Sequence, residues 1–307
     1  MTTYLPAGPP AAPDRSPRDA ADGSAGAGWL RSTRAELLRL RRWPTLWVLA
    51  GVWLALQTTF GFVVPYVAYR SGDPSPTTGA PPEQLLASMT ADAVPRLMVQ
   101  GTPLFGGALV MVLAALAVGS GYGWGTWKTV VTLGPGRRAA LTGTVLALAG
   151  VVAGLVAATV VLDVGLATGV AAVEGVLLEW PDPAATARSA AGAALVLGTW
   201  AAAGVVLGVL SRNPALATGL GLVWSLVVEN LLRGSGNLLP WLTPVTDHLP
   251  GAAAGSLAGA LGAGTGAEGA PGVSTVLGGT AATGTLIAYL LVFLGVAATV
   301  FGRRDIT

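Results

Sequence analysis

The sequence predicts an all-α integral membrane protein with six transmembrane helices, and three observations predict it. Only 10% of the 307 residues are charged while 52% are hydrophobic, and mean hydropathy is +0.65. Soluble domains carry about 25% charged residues, because a water-facing surface needs them to stay dispersed. Uncharged runs long enough for helices of about 20 apolar residues recur along the chain. The basic residues between those runs fall unevenly on alternate sides.

In order, the runs lie between Arg42 and Arg70, Arg96 and Lys128, Arg138 and Asp163, Arg188 and Arg212, and Glu268 and Arg303. A shorter run from Arg212 to Glu229 keeps its apolar character to Leu232. They place spans at 46–69, 103–122, 140–162, 190–210, 215–232 and 281–301. A further uncharged stretch after His248, "LPGAAAGSLAGALGAGTGA", is long enough to cross but consists mainly of Ala and Gly. Its transfer into lipid is poor beside Leu- and Val-rich segments, so it reads as a short membrane-edge helix or a flexible loop.

Six spans with a cytoplasmic N-terminus leave only Arg70, Arg96, Arg188 and Arg233 outside, four of the 17 basic residues. That bias satisfies the positive-inside rule and puts both termini in the cytoplasm, whereas a seventh span would move Arg303 and Arg304 outside. Residues 1–28, rich in Pro, Ala, Gly and Asp, have no apolar core of a signal peptide and read as a disordered cytoplasmic tail.

"WLRSTRAELLRLRRW", Trp29 to Trp43, spaces Leu30, Leu37 and Leu40 helically among five arginines. Such a segment suits a helix lying in the membrane surface with guanidinium groups among anionic headgroups; the plainer reading is the positive flank of the first span. The stretch 29–45 is thus set apart from the spanning domain, 46–307, with Pro44 at the bend.

Within the spans, Gly150/Gly154 and Gly204/Gly208 have GxxxG spacing, read as helix packing and not as a dimer face. Asp163 closes the third predicted span and Glu229 comes late in the fifth. Intramembrane carboxylates can relay protons or bind cations, which makes both candidate pathway residues. A structural role outweighs this, since both fall toward the outer end and Glu229 has Arg233 four residues on. Glu174, Glu179 and Asp182 read as a solvated edge, and His248 as a surface residue.

Several chemistries lack their residues. The chain has no cysteine and one histidine, which removes disulfides, thiol catalysis and His-cluster metal sites. It contains no G-x-x-x-x-G-K-[ST], G-x-S-x-G or H-E-x-x-H motif. The reading is therefore of a non-enzyme without a cofactor. A net charge of +2, scattered among apolar segments, makes nucleic acid an unsuitable partner.

The first inner loop reads "GSGYGWGTWKTVVTLGPGRR". It is close to the G-S-E-Y-x-x-G-T-x-[RK] pattern, followed by G-P-x-R, of the transmembrane subunit of type-2 ATP-binding-cassette (ABC) exporters, matching at Gly119, Ser120, Tyr122, Gly125, Thr126, Lys128, Gly134, Pro135 and Arg137. "RAELLRLRRWP" around Glu36 resembles that family's N-terminal elbow helix, and "FGRRDIT" its F-x-x-R-D-like tail. Gly121 stands where the family has an acidic residue.

The resemblance, spanning about 29–307, implies an elbow helix carrying Trp29, Arg34, Glu36, Arg39, Arg41 and Arg42. It also implies a cytoplasmic coupling helix whose Tyr122, Trp124, Thr126, Trp127, Lys128 and Arg137 contact a separate nucleotide-binding ATPase subunit. Trp124 and Trp127 would be the aromatic anchors. It further implies a second permease chain, a bacterial plasma membrane, and a re-entrant outer region within 233–280. The rival expectation is an ion-gradient-driven secondary transporter using Asp163 and Glu229.

Reporter fusions test the topology: one after Thr307 is expected to report cytoplasm and one within 70–100 the exterior. Two reporters on the same side overturn six spans.

Overall fold

Hydrocarbon offers no water to unpaired backbone groups, so a chain this apolar must satisfy them internally, as helices do. The computed structural model describes residues 17–76, 79–133, 136–236, 240–264 and 272–304, and those residues contain no strand. Six of its helices are long and apolar enough to cross a membrane, the architecture of a multi-pass all-α membrane protein.

Helix α1 (Pro17–Arg41) precedes the first span, α2 (Pro44–Ser71). The second span, α3 (Ala91–Gly123), is followed by the short α4 (Thr126–Leu133) and the third span, α5 (Arg137–Glu174). Then come α6 (Pro183–Ser211), α7 (Pro214–Gly234), the short α8 (Pro250–Ala260) and the last span, α9 (Gly279–Arg303). Single π-helical segments interrupt α2 at Thr59–Val63, α3 at Thr102–Gly106 and α7 at Val223–Val228.

Two sequence expectations change, and a third gains detail. The disordered tail is not continuous to residue 28, because α1 starts at Pro17, a residue suited to a first helical turn; residues 1–16 lie outside the described residues. Asp163 does not close the third span, because its carboxylate is buried against a partner and the helix runs on to Glu174, where Gly175 at φ 70° ends it. The Ala/Gly stretch after His248 forms a short helix, α8, followed by a turn at 261–264, and the helix is covered by protein. Pro250 to Ala258 of α8 are all buried inside the bundle, and residues 265–267 of that stretch lie outside the described residues.

Close approach explains α8's composition. A Cβ on Gly255 would strike the backbone of Gly272, and one on Gly259 would come within 2.6 Å of the Ser274 carbonyl. The Ser274 hydroxyl donates to the Ala252 carbonyl at 3.1 Å. Small residues make α8 a poor guest for lipid and a good one for a protein interior.

The core is α3 packed on α6. In the apolar window of each, 72% of residues are buried, against 17–28% in the other spans. A Cβ on Gly204 would run into the Met111 carbonyl, and one on Gly208 would lie 2.9 Å from Val118 Cβ. Met111 to Val118 on one helix therefore tracks Gly204 to Gly208 on the other, and the two run in parallel. The second GxxxG pair behaves differently: Gly154 meets nothing within 4 Å and Gly150 only Leu37, at 3.9 Å.

Gly208→Leu is expected to destabilise the bundle by about 1–3 kcal/mol through overpacking. Gly154→Leu should stay within about 1 kcal/mol, the helix-favouring gain being small. Unfolding midpoints of the purified chain in detergent measure both, and equal effects would contradict the assigned interface.

Candidate functional site

Two places in the bundle gather the residues singled out by the sequence. The first is the end where α3 stops, α5 starts, and α6 and α9 stop. Trp124 follows α3, and Gly125 at φ 67° supplies the left-handed turn that lets α4 begin at Thr126. Trp127 then points back into the bundle: it is 6% exposed and its indole N–H donates to the Val118 carbonyl at 3.0 Å.

The Trp127 ring meets Phe301 of α9 edge-on at 4.9 Å between centroids, and Tyr122 lies 6.2 Å from Trp127 and 6.4 Å from Phe301. The Arg212 guanidinium sits over the Tyr122 ring at 5.9 Å. Arg137 donates to the Arg304 carbonyl at 2.9 Å. The inner-loop pattern and the C-terminal tail, far apart in sequence, thus share one aromatic cluster. Gly134, Pro135 and residues 305–307 lie outside the described residues.

This geometry corrects one expectation and explains one departure. Trp127 is not presented as a docking anchor, because its indole fills the interior and is hydrogen-bonded there. Gly121 is required, because any Cβ there would collide with that indole. Trp124, 69% exposed, and the exposed Lys128 remain available on the surface, with Tyr122, Thr126 and Arg137 half-buried behind them.

The segment expected to lie in the membrane surface packs along α5. A Cβ on Gly143 would strike Ser32, and Leu37 approaches Gly150, so α1 and the start of α5 run side by side in the same direction. Leu40 is fully buried in the core. Glu36 pairs with Arg39, which also donates to the Ala117 carbonyl of α3 at 3.0 Å and lies 6.0 Å from the Trp43 ring. Trp29, Arg34, Arg41 and Arg42 stay exposed.

The second place is a two-rung polar ladder between α2 and α5. Trp53 donates to Thr159 at 2.9 Å, and one turn on Gln57 donates to Asp163 at 3.0 and 3.3 Å and to the Leu97 carbonyl at 3.1 Å. Asp163 is fully buried and has no ion pair among the described residues. Beside Gln57, a cavity of about 90 Å³ is lined also by Phe60, Gln100 and Phe105. Phe60 and Phe105, from two of the π-helical segments, stack at 6.0 Å with planes 3° apart.

Glu229 does something else. It accepts from the backbone N–H of Gly251 and, at 3.0 Å, of Ala252, capping the N-terminus of α8, while its other carboxylate oxygen is buried without a hydrogen bond. The expected pairing with Arg233 is not among the described ion pairs. Glu174 is likewise no solvated edge: Tyr66 at 2.7 Å, Tyr69 at 3.3 Å and Arg70 at 3.4 Å all donate to it. His248 is exposed, in keeping with a surface residue.

Sequence reading missed Trp53, Gln57 and Thr159. The signal was the matched i, i+4 spacing of Trp53/Gln57 and Thr159/Asp163 in two apolar spans. Compared with known protein families and with curated proteins, the chain matches no family model and no curated protein.

Trp127→Ala is expected to cost about 3–5 kcal/mol of stability as a large-to-small core change, whereas Trp124→Ala should stay within about 0.5 kcal/mol. Thermal unfolding in detergent reads the difference, and equal losses would contradict the inward placement of Trp127.

Proposed function

We propose that the chain is the membrane-spanning permease subunit of an ABC exporter, forming a substrate pathway driven by ATP hydrolysis in a separate nucleotide-binding subunit. The observation that carries this reading is the seating of α4. A short helix bearing exposed Lys128, with exposed Trp124 just before it, is rooted by buried Trp127 against Phe301 and Tyr122. A partner pressing on its outer face would push on the ends of three spans at once.

The chain's own residues then divide the work. Trp124 and Lys128 offer an aromatic and a cationic contact to the ATPase subunit. Trp127 transfers displacement of α4 to α9, and Gly121 keeps α3 close enough to receive it. Arg212 on Tyr122, and Arg304 on the Leu210 carbonyl at 3.5 Å, carry it to the end of α6. Two such chains, in a bacterial plasma membrane with both termini in the cytoplasm, would enclose the pathway.

A specific observation favours the second reading, a secondary transporter. Asp163 is buried and, among the described residues, hydrogen-bonded by the Gln57 amide alone, an arrangement that can accept a proton or cation. Glu229 lends less to it, being engaged with the α8 backbone.

The test pairs the chain with its genomically neighbouring P-loop ATPase in vesicles. The purified chain alone should hydrolyse no ATP, the pair should transport in an ATP-dependent manner, and Asp163→Asn should leave assembly intact. Transport that follows an ion gradient, ignores ATP and is abolished by Asp163→Asn would establish the secondary transporter instead.

A further inference from the structure

A groove of about 1200 Å³ opens between α1, the first turns of α5 and the last turns of α9. It exceeds the roughly 300–1,000 Å³ typical of small-molecule sites, and the other cavities described, about 220, 90 and 380 Å³, are much smaller. Its lining is divided. Arg137, Arg138 and Arg303 stand at one end, and Leu146, Thr299 and the indole of Trp29 line the rest.

No described carboxylate balances the charge there. Among the described residues none of the three arginines takes part in an ion pair, and Arg138 and Arg303 are exposed. Gly136, Arg137, Arg138 and Ala139 also line the groove, so the first turn of α5, which has no side-chain cap, adds its N–H groups to the same end. From Arg138 to Leu146 the lining runs about 12 Å along the helix. Leu146, Ala298 and Thr299 are exposed on the outward face of the bundle, where acyl chains would lie.

We infer that this groove is a binding site for an anionic phospholipid, its phosphate held by Arg137, Arg138 and Arg303 and an acyl chain laid along Leu146 and Thr299 toward the bilayer. Charge complementarity and the polar-to-apolar gradient along one continuous groove select this occupant. A neutral phospholipid would leave the arginines with less compensation, and a free phosphate would leave the apolar track empty. Basic pockets between spans at a membrane face are suited to such headgroups. A lipid there would tie α1, α5 and α9 together beside the aromatic cluster, so the inference stands whether or not an ATPase docks on α4.

The test is lipid retention by the full chain purified in detergent and mixed with phosphatidylglycerol or phosphatidylcholine, read by native mass spectrometry. The wild type should keep phosphatidylglycerol preferentially, and the Arg138→Gln/Arg303→Gln double variant should bind it about thirtyfold more weakly. Arg188→Gln, in the first turns of α6, should bind as the wild type does. Leu146→Trp, which narrows the apolar track and leaves every charge in place, should also weaken retention, and it decides the matter if the arginine variant is misfolded. Equal retention of the two lipids, or wild-type retention by the double variant or by Leu146→Trp, overturns the site. Displacement of the lipid by inorganic phosphate as effective as by soluble phosphatidylglycerol would reassign the groove to free phosphate.

Discussion

Everything in this bundle is arranged around the backbone contact between α3 and α6. Lipid tails are as apolar as leucine, so helices in a membrane gain nothing from hiding apolar side chains and must gain from fit. Gly204 and Gly208 supply that fit, bringing α6 onto the Met111 carbonyl and Val118. The same line continues at Gly107, where a Cβ would collide with Trp200, and beyond the end of α6 at Gly119, where one would lie 2.8 Å from Pro214 at the start of α7. Three close approaches, at Gly107, Gly204 and Gly208, hold the pair together, and the remaining spans take their places against it.

On that scaffold, polar groups inside the bundle join elements that apolar contacts alone would let slide. The α2–α5 ladder fixes register: a shift of one residue would part Trp53 from Thr159 and Gln57 from Asp163 together. Glu229 fixes α8 by capping it, and Gly251 is the residue that permits this, since a Cβ there would press on the carboxylate. Arg39, through Glu36 and the Ala117 carbonyl, joins α1 to α3. Two of these joints adjoin π-helical segments, Gln57 just before one and Glu229 just after another. Such segments are frequent at functional sites because they present backbone and side chains off the regular helical grid.

The number of spans was legible because charge is costly in hydrocarbon and its absence marks a span. The same rule fails at Asp163, a charge-bearing residue that does not mark the water boundary because Gln57, silent in a charge count, shelters it. At α8 hydropathy rightly withholds a span but is silent on what covers the helix: it measures transfer to lipid, and α8 is covered by protein. Two identical GxxxG spacings meet opposite fates, because spacing states that a helix could be approached closely and not that a neighbour arrives. At Trp124 and Trp127 the pattern locates the loop correctly, but the left-handed turn at Gly125 sends one indole outward and the other inward. No periodicity rule anticipates that.

The functional reading rests on α4 as the contact point for a separate ATPase, and the chain's lack of cysteine makes this directly measurable. A single Trp124→Cys substitution carrying a short photoactivatable cross-linker is to be placed in the otherwise unaltered chain, with Val161→Cys on the exposed face of α5 as its counterpart. The account predicts an adduct between the ATPase subunit and the Trp124→Cys chain and none with Val161→Cys. An ATPase that assembles and drives transport yet cross-links to neither position, or to Val161→Cys alone, would contradict it.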